Sequence, residues 1–121
     1  MESAENYLET ILVLGKNGAP VRSIDIVREL AFTKPSVSVA MKNLRASGHI
    51  MMEDGLITLT ESGRAIAESM YERHVVISDW LMALGVAKKT AHEDACKMEH
   101  AMSEQSFAAI KQHIEKFRQT S

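Results

Sequence analysis

Residues 23–59 read SIDIVRELAFTKPSVSVAMKNLRASGHIMMEDGLITL, and the order of signals in this stretch decides the fold. Ser23 is a good helix N-cap, and Ile24, Ile26, Val27 and Leu30 follow it at helical spacing. Ala31-Phe32-Thr33 is a tight link. Thr33 then caps a second helix, with Pro35 tolerated in its first turn and Gly48 ending it. Val37, Ala40, Met41 and Leu44 form the inward stripe of that helix and leave Lys34, Ser36, Ser38, Val39, Lys42 and Asn43 facing outward. Next, Ile50-Met51-Met52-Glu53 and Leu56-Ile57-Thr58-Leu59 flank Asp54-Gly55, the strongest short hairpin signal. Two short helices across a tight link, with a two-stranded ribbon straight after them, make a winged helix-turn-helix.

Outward from this stretch the chain is helical. Tyr7, Leu8, Ile11, Leu12 and Leu14 give a helical period from Ala4 to about Lys16, which Asn17-Gly18-Ala19-Pro20 ends. Beyond the ribbon, Thr60 caps a long helix from Glu61 to about Leu84, with Gly63 near its start at a small cost. Gly85-Val86 breaks it, a helix from about Lys88 to Met102 follows, and Ser103 caps a last one to about Arg118. The fold class expected is mainly α, a winged helix-turn-helix domain over residues 1–62 followed by a helical domain over residues 63–121.

Hydrophobic residues make up 45% of the chain but aromatic ones only 5%, so the core must be aliphatic, with eight methionines as adaptable filler. No apolar run approaches the roughly 18 residues of a membrane span, and Met1-Glu2-Ser3-Ala4-Glu5 does not open a signal peptide. A single cysteine cannot close an internal disulfide, which points to the reducing cytoplasm. The net charge of −2 hides a division. Lys16, Arg22, Arg28, Lys34, Lys42 and Arg45 against Asp25 and Glu29 leave residues 16–48 at +4 and the rest at −6. A basic middle on an acidic chain suits one surface facing DNA phosphate. On the second helix of the motif, small hydroxyls and a methyl-bearing residue suit close approach to a major groove, and lysines suit phosphates. The DNA-binding candidates are Arg22, Thr33, Lys34, Pro35, Ser36, Ser38, Val39 and Lys42.

The segment His92-Glu93-Asp94-Ala95-Cys96-Lys97-Met98-Glu99-His100 carries the second kind of chemistry. Helical residues three and four apart share a face, within about 6 Å. His92, Cys96, Glu99 and His100 would then line one stripe, offering imidazole, thiolate and carboxylate to a divalent transition metal. That mixture suits Fe(II), Zn(II), Co(II) or Ni(II) better than Mg(II) or Ca(II). One helix does not close a coordination sphere, and His74, Asn6 and Glu9 are available elsewhere. A lone histidine on a helix is more often a surface or satisfied core residue, and Asn6 and Glu9 taken alone fit a solvated helix face better still. A competing reading makes Cys96 a redox sensor or a buried structural thiol. An enzyme is not expected: there is no His-Glu-x-x-His helix, no Gly-rich phosphate loop, no general base beside an open coordination position, and no call for a small organic substrate.

Glu5-Asn6-Tyr7-Leu8-Glu9-Thr10-Ile11, Pro35-Ser36-Val37-Ser38, Leu59-Thr60-Glu61-Ser62-Gly63-Arg64 and the segment from His92 to Ser103 together resemble the diphtheria-toxin-repressor family of metal-dependent transcriptional repressors, across essentially the whole chain. The resemblance implies that the second domain dimerises and that a homodimer binds palindromic operators on double-stranded DNA. It implies metal ligands at Cys96, Glu99, His100 and His74, with Fe(II) or Mn(II) as the cellular metal and Zn(II), Co(II) or Ni(II) able to bind in vitro. Cys96 matches the iron-responsive branch, where the manganese branch has a carboxylate, and Glu9 matches a carboxylate ligand of the manganese branch. His92 matches a second-site ligand of the iron branch. Asn6 departs from both branches, which have methionine or aspartate there, and offers only a neutral amide oxygen. Ser78 or Asp79 stands where the iron branch supplies a second-site carboxylate. The chain also stops at Ser121, so the expectation is a short form without the small β-barrel of many iron-responsive members. A Cys96→Ala variant separates the two readings of the thiol: weakened metal binding by calorimetric titration is expected if Cys96 is a ligand, and unchanged binding if it is a redox or structural group.

Overall fold

The computed structural model describes residues 2–120. Its elements in chain order are helices α1 (Glu2–Leu14), α2 (Ser23–Leu30) and α3 (Lys34–Ala46), strands β1 (Ile50–Glu53) and β2 (Leu56–Leu59), then helices α4 (Glu61–Ala83), α5 (Lys88–Met98) and α6 (Glu104–Thr120). No helix is long and apolar enough to cross a membrane. The chain divides after Met70, within α4, into two compact units.

In the first unit the expected inward stripe of α3 is realised. Val37, Met41 and Leu44 are buried, and Ala40 packs against the same core. They meet Tyr7, Leu8 and Ile11 of α1, Ile26 of α2, Ile50 and Ile57 of the ribbon and Ala67 of α4, an aliphatic cluster as the composition requires. The Thr33 hydroxyl accepts the Ser36 backbone N–H (3.2 Å) and so caps α3, with Pro35 in the first turn. At α2 the cap lies one residue earlier than Ser23. Asp25, at the third position, accepts the Arg22 backbone N–H at 2.9 Å, the reciprocal half of a capping box, and this draws the helix start back. Ala31 closes α2 in the left-handed region (φ 55°), unusual for a residue with a Cβ, because the chain must turn sharply between the two helices.

Asp54 (φ 53°) and Gly55 (φ 79°) form the two-residue turn whose positive angles match strand twist. The register pairs Ile50 with Leu59 and Glu53 with Leu56. Thr60 caps α4 as expected, accepting the Gly63 N–H at 3.2 Å and donating to the Gly48 carbonyl at 2.7 Å.

In the second unit α4, α5 and α6 pack around Ile77, Ala95 and Phe107, with Val76, Leu81, Met98 and Met102 at the edge. Helix α5 buries only alanines, Ala91 and Ala95. It stops at Met98 rather than at Met102, and Glu99 to Ala101 form a turn. Ser103 then caps α6 by accepting the Ser106 N–H at 3.1 Å.

Gly63 is required for a reason its helical position hides. A Cβ built there would be driven into the backbone carbonyl of His49, which cannot swing aside as a side chain could. In an open helix Gly→Ala gains up to about 1 kcal/mol. Gly63→Ala is expected to lose about 1–3 kcal/mol instead, the range for overpacking, read as a lower urea midpoint at unchanged slope.

Candidate metal centre and DNA-reading face

Glu99 is the first residue past the end of α5 and is fully buried, 0% exposed. An ionised side chain in that position needs partners of opposite charge or strong donors. His74, on α4, places Nδ1 3.1 Å from Glu99 Oε2. His100, next along the turn and 4% exposed at its side chain, places Nε2 3.2 Å from Glu99 Oε1. That second pair does not complete a hydrogen bond, and Oε1 has no hydrogen-bond partner among the described residues. The other ring nitrogen of His74 lies 3.0 Å from His92 Nδ1, and the two rings stack at 5.2 Å. Three imidazoles and one carboxylate are thus brought together by α4, α5 and the turn after α5.

This arrangement fits a divalent transition metal. Donor atoms held about 2.1 Å from one octahedral ion, at right angles, stand about 3 Å apart, which is the separation of His74 Nδ1 from Glu99 Oε2. His100 meets the other carboxylate oxygen, and His92 the other ring nitrogen of His74. A buried carboxylate oxygen lacking a proton donor is what a cation would complete, and imidazole with carboxylate is a borderline-to-hard set.

The stripe expected from sequence is rearranged. Because α5 ends at Met98, Glu99 and His100 leave the helix and reach inward through the turn, while Cys96 stays on α5 and is exposed. A thiol packed in the core is therefore not what the structure has. Ala91 and Ala95 face the interior, and the residue after Ala95 turns outward. His92 meets His74. Ser78 is buried with its hydroxyl bonded to the Val75 carbonyl at 3.3 Å, and Asp79 is exposed, so neither joins this cluster. On α1, Glu9 is buried and Asn6 half-buried, and the Asn6 carbonyl accepts the Thr10 hydroxyl at 2.8 Å.

Arg73 has no role in the sequence reading. It is 5% exposed and donates from Nη1 to the carbonyls of Glu99 (3.0 Å) and Met102 (2.6 Å). A signal for it did exist. Ala67, Met70 and Ile77 are buried along α4 at spacings of three and seven, and Arg73 falls between them on the same stripe. A charged residue in an apolar stripe needs a partner, which sequence alone does not name.

The other candidate face belongs to the first unit. Lys34, Pro35, Ser36, Ser38, Val39 and Lys42 are exposed on α3, Val39 at 59%. Thr33 and Ser36 bond to each other through their hydroxyls at 2.8 Å. Arg22 is also exposed, and its Nη1 donates to the Asp54 carbonyl at 3.0 Å, so it braces the ribbon's turn.

Residues 1–55 match the iron dependent repressor, N-terminal DNA binding domain, and residues 60–121 match the iron dependent repressor, metal binding and dimerisation domain. The chain belongs to the iron-dependent repressor family. As a member it joins a DNA-binding domain to a metal-binding and dimerisation domain, and the resemblance carried by its motifs holds. An uncharacterised HTH-type transcriptional regulator of Methanocaldococcus jannaschii is 35% identical over 120 residues, 97% of this chain and 96% of its own. The transcriptional regulator MntR of Escherichia coli is 31% identical over 116 residues, 95% of this chain and 75% of its own. Among solved structures, a manganese-dependent transcriptional repressor in complex with manganese superposes with a TM-score of 0.85 at 26% identity, over 93% of this chain and 52% of that one. The chain spans about half the length of such solved regulators.

If Glu99 is a ligand, its stability effects reverse with metal. Ligand at about 100 times its Kd should add about 2.7 kcal/mol to the unfolding free energy. Urea titrations with and without Mn(II) should show that gain in the parent chain and none in Glu99→Gln, whose metal-free form should be at least as stable because a buried charge has been removed.

Proposed function

We propose that this protein is a metal-activated transcriptional repressor that senses Fe(II) or Mn(II) and controls metal-ion homeostasis. The observation that carries the reading is the buried Glu99 carboxylate, with one oxygen lacking a hydrogen bond, among three imidazoles in a chain that also bears an exposed α3 face. His74, Glu99 and His100 would hold the ion. Glu9 and Asn6 of α1 and Cys96 of α5 are proposed as further donors on sequence grounds, and His92, at the far nitrogen of His74, as a ligand to a second ion. A bound divalent cation would supply positive charge and directed coordination at the carboxylate. Imidazole and carboxylate also bind Zn(II), Co(II) and Ni(II), so choice of metal in the cell follows supply and geometry rather than raw affinity.

The likeness to a manganese-dependent repressor solved in complex with manganese supports the manganese alternative, and membership of the iron-dependent repressor family supports iron. The protein would act in the cytoplasm as a homodimer on a palindromic operator, with the two α3 helices entering major grooves about 34 Å apart. It has no catalytic role in this reading. Lys34 and Lys42 contact phosphates, Ser36, Ser38 and Val39 approach base edges, and Thr33, Pro35 and Arg22 set the approach of helix and ribbon. Metal and operator must each tighten the other by one common factor, and a factor of 5–150 corresponds to about 1–3 kcal/mol.

Operator affinity measured by fluorescence anisotropy should fall within that range on chelation and recover with Fe(II) or Mn(II). Lys42→Ala should weaken binding to all sequences alike and reduce the salt slope by about one. Operator binding that is indifferent to chelation but lost on oxidation of Cys96 would replace this reading with the thiol-based one.

A further inference from the structure

Arg73 and His74 are consecutive on α4, and both touch Glu99, at opposite ends of that residue. His74 Nδ1 meets the carboxylate, while Arg73 Nη1 donates to the main-chain carbonyl. The same Arg73 nitrogen donates to the Met102 carbonyl, so one guanidinium spans the turn from Glu99 to Met102. Its carbon sits 5.3 Å from the centroid of the Phe107 ring of α6. No carboxylate is paired with it among the described residues. The charge is met instead by the Glu99 carbonyl at the C-terminal end of α5, where the helix dipole is negative, by the Met102 carbonyl beyond the turn, and by the face of an aromatic ring. A buried cation without a counter-ion is costly as a stability device alone.

We infer that Arg73 is a positioning residue for the metal centre, fixing the turn that projects Glu99 and His100 so that their donors stand ready beside His74. The inference rests on the metal-binding role proposed for Glu99. Its physical basis is that Glu99 is the last residue tied into α5, through its N–H to the Ala95 carbonyl at 2.9 Å, while the Glu99 carbonyl and the turn after it lie past the helix end and are met by Arg73. One nitrogen of a planar guanidinium that also lies over the Phe107 ring reaches both carbonyls, and a lysine ammonium on a flexible stem would be held there less firmly. With the turn released, Glu99 loses one of its two tethers to α4, and the ligands must be ordered by the ion itself.

The test uses the full chain, with Mn(II) alone and Co(II) alone as probes. Groups that orient metal ligands from behind typically matter by about 10- to 100-fold in affinity. Arg73→Gln is expected to weaken Mn(II) binding by that factor and to shift the visible absorption bands of the Co(II) complex, with Arg73→Lys in between, in protein shown to be folded by circular dichroism. A purely structural arginine would lower the urea midpoint yet leave the Mn(II) Kd and the Co(II) spectrum of the folded variants as in the parent, and that result overturns the inference. Should Arg73→Gln fail to fold, Arg73→Lys decides: parental affinity and spectrum overturn it, a loss of both supports it. A parent chain that binds neither ion is a separate failure, of the metal reading itself, and takes the assignment of Arg73 with it.

Discussion

Taking the Glu99 carboxylate out of water costs several kcal/mol unless charges and donors surround it, and the second unit is arranged around meeting that demand. The short side chains of Ala91 and Ala95 let α5 bury against its neighbours, so His92 can stack on His74. The end of α5 at Met98 then brings Glu99 and His100 into a turn, where two adjacent residues can aim at one point, which successive residues of a helix cannot do. Consecutive residues of α4 secure that turn from both sides, so rotation of one helix sets backbone and carboxylate together.

The chemistry of the cluster follows from what is and is not gathered in it. Imidazoles from three elements and a carboxylate make a set that discriminates weakly among first-row divalent ions, and the chain's single thiol lies exposed on α5. In the first unit the corresponding economy is steric. Hydroxyls, a proline and two lysines cover the outward side of α3, so nothing bulky keeps that helix from an approaching surface.

Much of the first unit was legible because its signals are local. Thr33 and Thr60 cap the helices they precede, Asp54-Gly55 makes the turn, and the stripe on α3 faces inward, each decided by residues within a few positions. The cap of α2 moved by one residue because Asp25 supplies a reciprocal bond that Ser23 alone does not announce. The candidate centre was less legible. Spacing in the His92–His100 segment is helical only if the helix continues, and its end is stabilised by a side chain more than twenty residues away, Arg73. His74 and Glu99 were recognisable as types, but their meeting depends on packing around Ile77 and Ala95. The close approach of Gly63 to His49 is equally non-local, since it needs the ribbon folded against the start of α4.

The ribbon has two strands of four residues, and a ribbon of that size is marginal by itself in water. Ile57, in a position whose N–H points away from β1, donates it to the Val21 carbonyl at 2.8 Å, and Arg22 holds the turn at the far end. The outer edge of β2 is thereby partly closed by the segment leading into α2. An open edge recruits strands from other molecules, and a one-residue slip would carry Ile50 and Ile57 from the core to solvent. Two bonds from Val21 and Arg22 thus guard a small projecting hairpin against both self-association and misregistration, leaving it free to meet a different kind of surface.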